Sequence, residues 1–316
     1  MRAAYAEGVI GVLIGFAIIA FVIAVGYAIG RGGLLGPHGV HVLTRLSFFV
    51  LSPALLFTVL AEADVRALFS ELLPTTASTA GIALVVVVLI ALLAWRRPVP
   101  EATIGALGAS YANATNMGIP LSAYVLGNAA ASAPVFLLQL IVITPIALTV
   151  LDLSTGGRLS VGRVLLQPVR NPLIIASALG FAVAVSGVEL PRELFQPFEL
   201  IGGAAVPVIL LAFGMSLHGT RVLAPGEYRR DAVLATVFKL AVVPLIAWLL
   251  GRFVFGLDEE ALFAAVILMA LPAGQNVFNY AQRYGRGEVL ARDVVFLTTL
   301  GSFPAMLVVA ALLAPR

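Results

Sequence analysis

Asn113-Ala114-Thr115-Asn116-Met117-Gly118-Ile119-Pro120 lies inside an apolar segment that runs from about Ile104 to Leu126. Two carboxamides, a hydroxyl, a glycine and a proline crowd the centre of what otherwise reads as a membrane-spanning helix. Lipid offers no hydrogen-bond partners, so such residues belong there only where they face protein or a water-filled cavity. A second stretch has the same ingredients: Leu271-Pro272-Ala273-Gly274-Gln275-Asn276-Val277-Phe278-Asn279-Tyr280. Proline, glycine and three carboxamides again interrupt an apolar run.

Composition sets the solvent. Of 316 residues, 61% are hydrophobic and 11% charged, and mean hydropathy is +1.06. A soluble domain carries about a quarter charged residues, so the chain reads as an all-α polytopic membrane protein. Without cysteine, disulfides, thiolate metal sites and cysteine nucleophiles are excluded. The net charge of +3 rests on arginines scattered through short loops, which is no nucleic-acid signature. The apolar run from Val9 to Gly30 exceeds the roughly 7–15 residues of a signal-peptide core and reads as an uncleaved first span.

A spanning helix needs about 20 apolar residues. Ten candidates meet this, near 9–30, 41–61, 75–95, 104–126, 134–153, 171–188, 199–218, 232–254, 261–281 and 291–313. With the N-terminus outside, inside segments hold thirteen arginines (31, 45, 96, 97, 158, 163, 170, 221, 229, 230, 283, 286 and 292) and outside segments five (2, 66, 192, 252 and 316). The positive-inside rule therefore places both termini outside, and the chain in a cell membrane, the inner membrane of a bacterium.

Prolines recur at a nearly constant interval. Pro53 and Pro207 are 154 residues apart, Pro120 and Pro272 are 152, and Pro145 and Pro304 are 159. This suggests two copies of a five-span unit, over 1–153 and 171–316, joined by a cytoplasmic loop at 154–170. Five is odd, so the second copy must enter from the opposite face. Such inverted repeats are an architecture of secondary transporters, with substrate held where interrupted helices of the two halves meet. The alternative is chance alignment of prolines in apolar helices.

In the first interruption, Pro120 lacks an N–H and clashes with the Asn116 carbonyl four residues back, and Gly118 adds backbone freedom. The helix is expected to open there and to expose a half-helix N-terminus that favours anions. Asn113, Thr115 and Asn116, with Gln275 and Asn276 from the second interruption, are the expected polar lining, shaped by Gly118, Pro120 and Pro272; Gln139 and Ser52 are weaker candidates. Asn279 and Tyr280 read as structural. The competing reading is a proline kink whose amides bond to neighbouring helices. Lys239 is the only lysine and sits within span eight. It serves either as a coupling or charge-compensating group, or as a residue whose stem snorkels to the interface. The three histidines read as interfacial, with no metal-ligand spacing. Phosphate-loop, GxSxG and HExxH motifs are absent, so no enzyme activity and no cofactor is predicted.

These residues resemble the auxin efflux carrier family. Its pattern in the first interruption is similar to Asn-x-Gly-x-x-Gly-Leu/Ile-Pro: Asn113, Gly118, Ile119 and Pro120 match, while Thr115 stands where glycine is usual. Arg170-Asn171-Pro172 resembles its Asn-Pro signature, and Pro191, Pro207 and Leu211-Ala212-Phe213-Gly214-Met215-Ser216-Leu217 its span-seven motif. The resemblance implies a ten-helix fold like that of bile acid and sodium–proton transporters. A scaffold of spans 1, 2, 6 and 7 would face a transport domain of spans 3–5 and 8–10. It also implies organic-anion substrates, auxin or dicarboxylates such as malate or malonate. The expected partners are a small organic anion and the lipid bilayer, with homodimerisation left open. The function predicted is alternating-access transport of a small organic anion. A sodium-coupled symporter of bile-acid type and a non-transporting receptor on the same fold are the alternatives.

Overall fold

The structure, a computed structural model, describes residues 2–62, 72–155, 172–188, 190–218 and 226–315, with no side-chain account of residues 2–16, 129 and 282. Most of the 154–170 loop, Arg66, Arg221 and the Arg170-Asn171 pair lie outside the described residues. The described chain is all-helical, without a strand.

Twelve helical segments follow in order. They are α1 (Arg2–Gly32), α2 (Gly39–Ala61), α3 (Leu72–Ala94), α4 (Val99–Ser110), α5 (a π turn over Ala114–Gly118 continued by Ile119–Tyr124), α6 (Ala130–Ser154), α7 (Pro172–Ser186), α8 (Arg192–Ser216), α9 (Arg229–Val254), α10 (Glu259–Met269), α11 (Gln275–Tyr284) and α12 (Glu288–Leu313). Among the described residues six helices are long and apolar enough to cross a membrane: α2, α3, α6, α8, α9 and α12. Large apolar side chains stand far out on them, with Leu93 74%, Leu200 80%, Phe253 70% and Leu312 75% exposed. Only lipid can cover such a surface, so the chain is a multi-pass integral membrane protein.

Packing divides the helices into two sets. In the first, α1 runs along α8, and α2 packs against α7 and both halves of α8. The approach is close: a Cβ at Gly214 would collide with the Ile23 carbonyl, and one at Gly26 with the Leu211 carbonyl. The second set joins α3, α4, α6 and α9–α12. At one end of it, Arg97 bridges to Asp231 at 2.7 Å and Glu227 at 2.9 Å, and Arg286 to Glu101 at 3.1 Å. Asp231 holds the Arg97 guanidinium above its ordinary pKa, chiefly through their hydrogen bond.

Irregularities recur along the chain. A π turn ends α3 at Ile90–Ala94 and another ends α9 at Leu250–Val254, each followed by a short helix that stops before an extended segment. α4 ends at Ser110 and α10 at Met269. The first opening therefore falls at Tyr111–Asn113, well before Pro120. This corrects the sequence-based expectation that Gly118 and Pro120 open the helix. Pro120 follows directly on the π turn over Ala114–Gly118, so the helix runs through it by a local change of hydrogen-bond pattern and does not open. Gly118 has ordinary right-handed angles (φ −67°, ψ −44°), so its backbone freedom goes unused. Its small size matters instead: a Cβ there would stand 3.2 Å from both Leu271 Cδ1 and Ser132 Cβ. Pro272 does lie inside its opening.

Candidate functional site

The two openings are joined backbone to backbone. Ala112 and Ala273 form an antiparallel bridge. Asn113 N–H donates to the Pro272 carbonyl (2.8 Å) and Gly274 N–H to the Tyr111 carbonyl (2.9 Å). Two unwound segments thus satisfy part of each other's buried polar groups, which would otherwise each cost about 1–3 kcal/mol.

Side chains of neighbouring helices complete the pairing. With its amide turned to satisfy both partners, Gln139 of α6 donates to the Ala112 carbonyl (2.8 Å) and accepts from Ala112 N–H (3.2 Å). Thr298 of α12 accepts from Ala273 N–H at 3.0 Å. Asn113 Oδ1 accepts from Asn116 N–H at 3.3 Å and caps α5.

A cavity of about 640 Å³ opens against this junction. Asn113, Thr115 and Asn116 line it from α5 and its cap, and Gln275, Asn276 and Asn279 from α11. The first turn of α11 brings backbone N–H groups that lack intrahelical partners. Opposite stand α2, through His41, Thr44, Arg45 and Phe48, and α8, through Ile209, Ala212 and Phe213.

Of the residues expected from sequence, Asn113, Thr115, Asn116, Gln275 and Asn276 come together on the cavity wall. Gly118, Pro120, Gln139 and Pro272 do not line it. Gln139, 2% exposed, clamps the backbone behind the wall, and Pro272 supplies the carbonyl that holds Asn113. Lys239 lies elsewhere, fully buried, with Nζ donating to the Met269 carbonyl at 3.0 Å. Its Nζ thus sits at the C-terminal end of α10, where the negative end of the helix dipole falls, and does not reach the lipid interface. Ser52 is buried and is not part of the wall.

Sequence reading missed Tyr111, Asn279 and Arg45. Tyr111 hydroxyl meets Thr144 Oγ1 (3.2 Å), which meets Tyr280 hydroxyl (3.1 Å); Asn276 Nδ2 donates to Tyr111 hydroxyl (3.4 Å). This hydroxyl chain fixes the Asn276 amide from behind. Tyr280 is not among the lining residues and its hydroxyl turns to Thr144, whereas Asn279, read from sequence as structural, faces the cavity. Its place one turn after Gln275 and Asn276 was the available signal: residues three and four apart share a helix face.

The wall combines amides, a hydroxyl and helix N–H groups, and faces a mixed side on which Ile209, Ala212 and Phe213 of α8 stand beside His41, Thr44 and Arg45 of α2. It offers neutral donors and partial positive charge to a small polar anion, and no nucleophile–base pair.

Comparison with known proteins agrees with a role in membrane transport. Residues 12–310 match the family model described as membrane transport protein. The chain is 27% identical over 261 residues, 80% of each chain, to a provisionally named malonate transporter of Rhizobium meliloti (strain 1021). It is 24% identical over 301 residues to the uncharacterized transporter YfdV of Escherichia coli (strain K12), covering 89% of this chain and 93% of that one. A third similarity, 29% over 150 residues, covers 45% of this chain and 39% of a protein of Oryza sativa subsp. japonica provisionally named auxin efflux carrier component 5b.

Proposed function

Since the chain belongs to the membrane transport protein family, that of the auxin efflux carriers, we propose that it is a secondary transporter of a small organic anion, a carboxylate, working by alternating access. It is a transporter and not an enzyme. The observation that carries the substrate class is the cavity wall itself. Amide donors of Asn116, Gln275 and Asn276 and the N-terminal turn of α11 converge where the two openings are bridged. A carboxylate gains there both hydrogen bonds and helix-terminus charge. The name borne by the Rhizobium relative is in keeping with this class.

Ten spans in two inverted repeats fit the same observations. The matching π turns before the openings, and the paired clamps Gln139 and Thr298, support two structurally equivalent halves. In this reading each broken pair, α4 with α5 and α10 with α11, counts as one span. The helix set α1, α2, α7 and α8 is the scaffold and the other set the transport domain; the cavity lies between them. The His41 end of the cavity then faces the cytoplasm. Lys239 fills the C-terminal end of α10 with a protein donor, its Nζ on the Met269 carbonyl, which favours a carrier that works without a bound cation at that position.

The test is uptake or counterflow of small carboxylates in proteoliposomes, with Asn113→Ala and Asn276→Ala beside the wild type. Both variants should reach the membrane in normal amount and lose at least about tenfold in transport, the value of one or two hydrogen bonds to a charged ligand. Undiminished transport by both would remove the site assignment. Flux that is unchanged when choline replaces sodium is the expected result for coupling.

A further inference from the structure

We propose that Arg45 is a carboxylate-binding residue on the wall facing the broken helices, and that it selects substrates carrying a second negative charge. The proposal rests on the reading of the chain as an organic-anion transporter and names the class of anion. Among the side chains that line the cavity, Arg45 alone carries a permanent charge, and no aspartate or glutamate lies among them. Arg97, Arg286 and Arg292 each have a carboxylate partner. Arg45 has none among the described residues. Its guanidinium instead lies 5.6 Å from the centre of the Phe49 ring, which also lines the cavity.

Position and chemistry both favour a ligand role. His41 and Arg45 are four residues apart on α2, hence on one helix face, and both line the cavity. A cation in a concave site with apolar walls concentrates anions there. Guanidinium presents a planar fork that matches a carboxylate with two parallel hydrogen bonds. The ring of Phe49 holds that fork by cation–π contact when no carboxylate does. The cavity consequently has two unlike poles for negative charge. One is the neutral amide wall on α5 and α11, which satisfies a carboxylate by hydrogen bonds alone. The other is Arg45 on α2. A monocarboxylate can use only one of them, whereas a short dicarboxylate can use both.

The experiment is a titration of purified wild type, Arg45→Gln and Arg45→Lys with malonate, succinate, propionate and butyrate, read by thermal shift, with counterflow in proteoliposomes for the acids that bind. Wild type should bind the dicarboxylates more tightly than the monocarboxylates. Arg45→Gln should weaken dicarboxylate binding about tenfold or more and change monocarboxylate binding less than about threefold, with the ligand-free melting temperature unchanged. Arg45→Lys should restore part of the preference, because it keeps charge and loses the fork. Equal affinity of wild type and Arg45→Gln for dicarboxylates would overturn the proposal, as would equal weakening for both acid classes or a wild-type preference for monocarboxylates. If wild type neither binds nor moves any of the four acids, the organic-anion reading falls first.

Discussion

Gln139 and Thr298 each hold the backbone of one opening. Gln139 satisfies both the N–H and the carbonyl of Ala112, and Thr298 satisfies the N–H of Ala273. Replacing Gln139 by Leu keeps the bulk and removes both partners. The Ala112 carbonyl keeps the Ala114 N–H, so the buried Ala112 N–H alone is left over, at a cost of about 1–3 kcal/mol. Thermal unfolding of the purified protein in detergent is the check; an unchanged melting temperature would show that the openings are held without it. Tyr111→Phe tests a finer point. Its hydroxyl accepts from Asn276 Nδ2, so the variant should stay folded and bind carboxylates several-fold more weakly. Tyr111 lies beside an opening whose location sequence alone did not give, and aromatic residues in apolar runs carry no mark of what their hydroxyls reach.

Helices meet in this protein by two different devices, and each can be tested. α1 and α8 touch backbone to backbone at Gly26 and Gly214, in the manner of small-residue contacts in membranes. Gly214→Leu should force the two apart, which would appear as loss of monodisperse protein in size-exclusion chromatography. Normal elution and melting would refute the close contact. The start of α9 is instead tied by charge to the segment between α3 and α4. Arg97→Ala leaves Asp231, whose side chain is 8% exposed, without its counter-ion, a loss of about 3 kcal/mol by comparison with other broken buried pairs. Element type was legible from sequence because long apolar runs admit only helices in lipid. The exact openings were not. Pro120 looks like a breaker locally, yet the π turn over Ala114–Gly118 carries the helix through it without an opening. The helix actually opens at Tyr111–Asn113, where the second opening offers backbone partners, and that partner lies about 160 residues away along the chain. Arg45 was hidden for a similar reason: the positive-inside rule accounts for an arginine at that position whatever it faces, and only the packing of α2 against α8 turns it to the cavity.

Across the whole molecule, the absence of cysteine makes orientation measurable with single introduced thiols. Thr44→Cys and Asn279→Cys, both on the cavity wall, should react with a membrane-impermeant maleimide in inside-out vesicles and stay unlabelled in intact cells. Glu259→Cys, exposed at the start of α10, should show the opposite pattern. Reversal of both would invert the assigned topology. The composition alone established the membrane class, and the charge bias gave a sidedness that these labels test. The grouping of helices into two packed sets depends on side-chain interdigitation that hydropathy does not encode.

The bridge between Ala112 and Ala273, with its clamps from α6 and α12, has a consequence for affinity. The polar wall is assembled before any ligand arrives, so a bound anion has no chain segment to order there. Its binding strength then depends on contacts and desolvation alone. If the wall travels as one piece with its clamps, its own share of the grip should be the same from either side of the membrane, and only a group on the stationary helices, such as Arg45 of α2, would make affinity differ between the two faces.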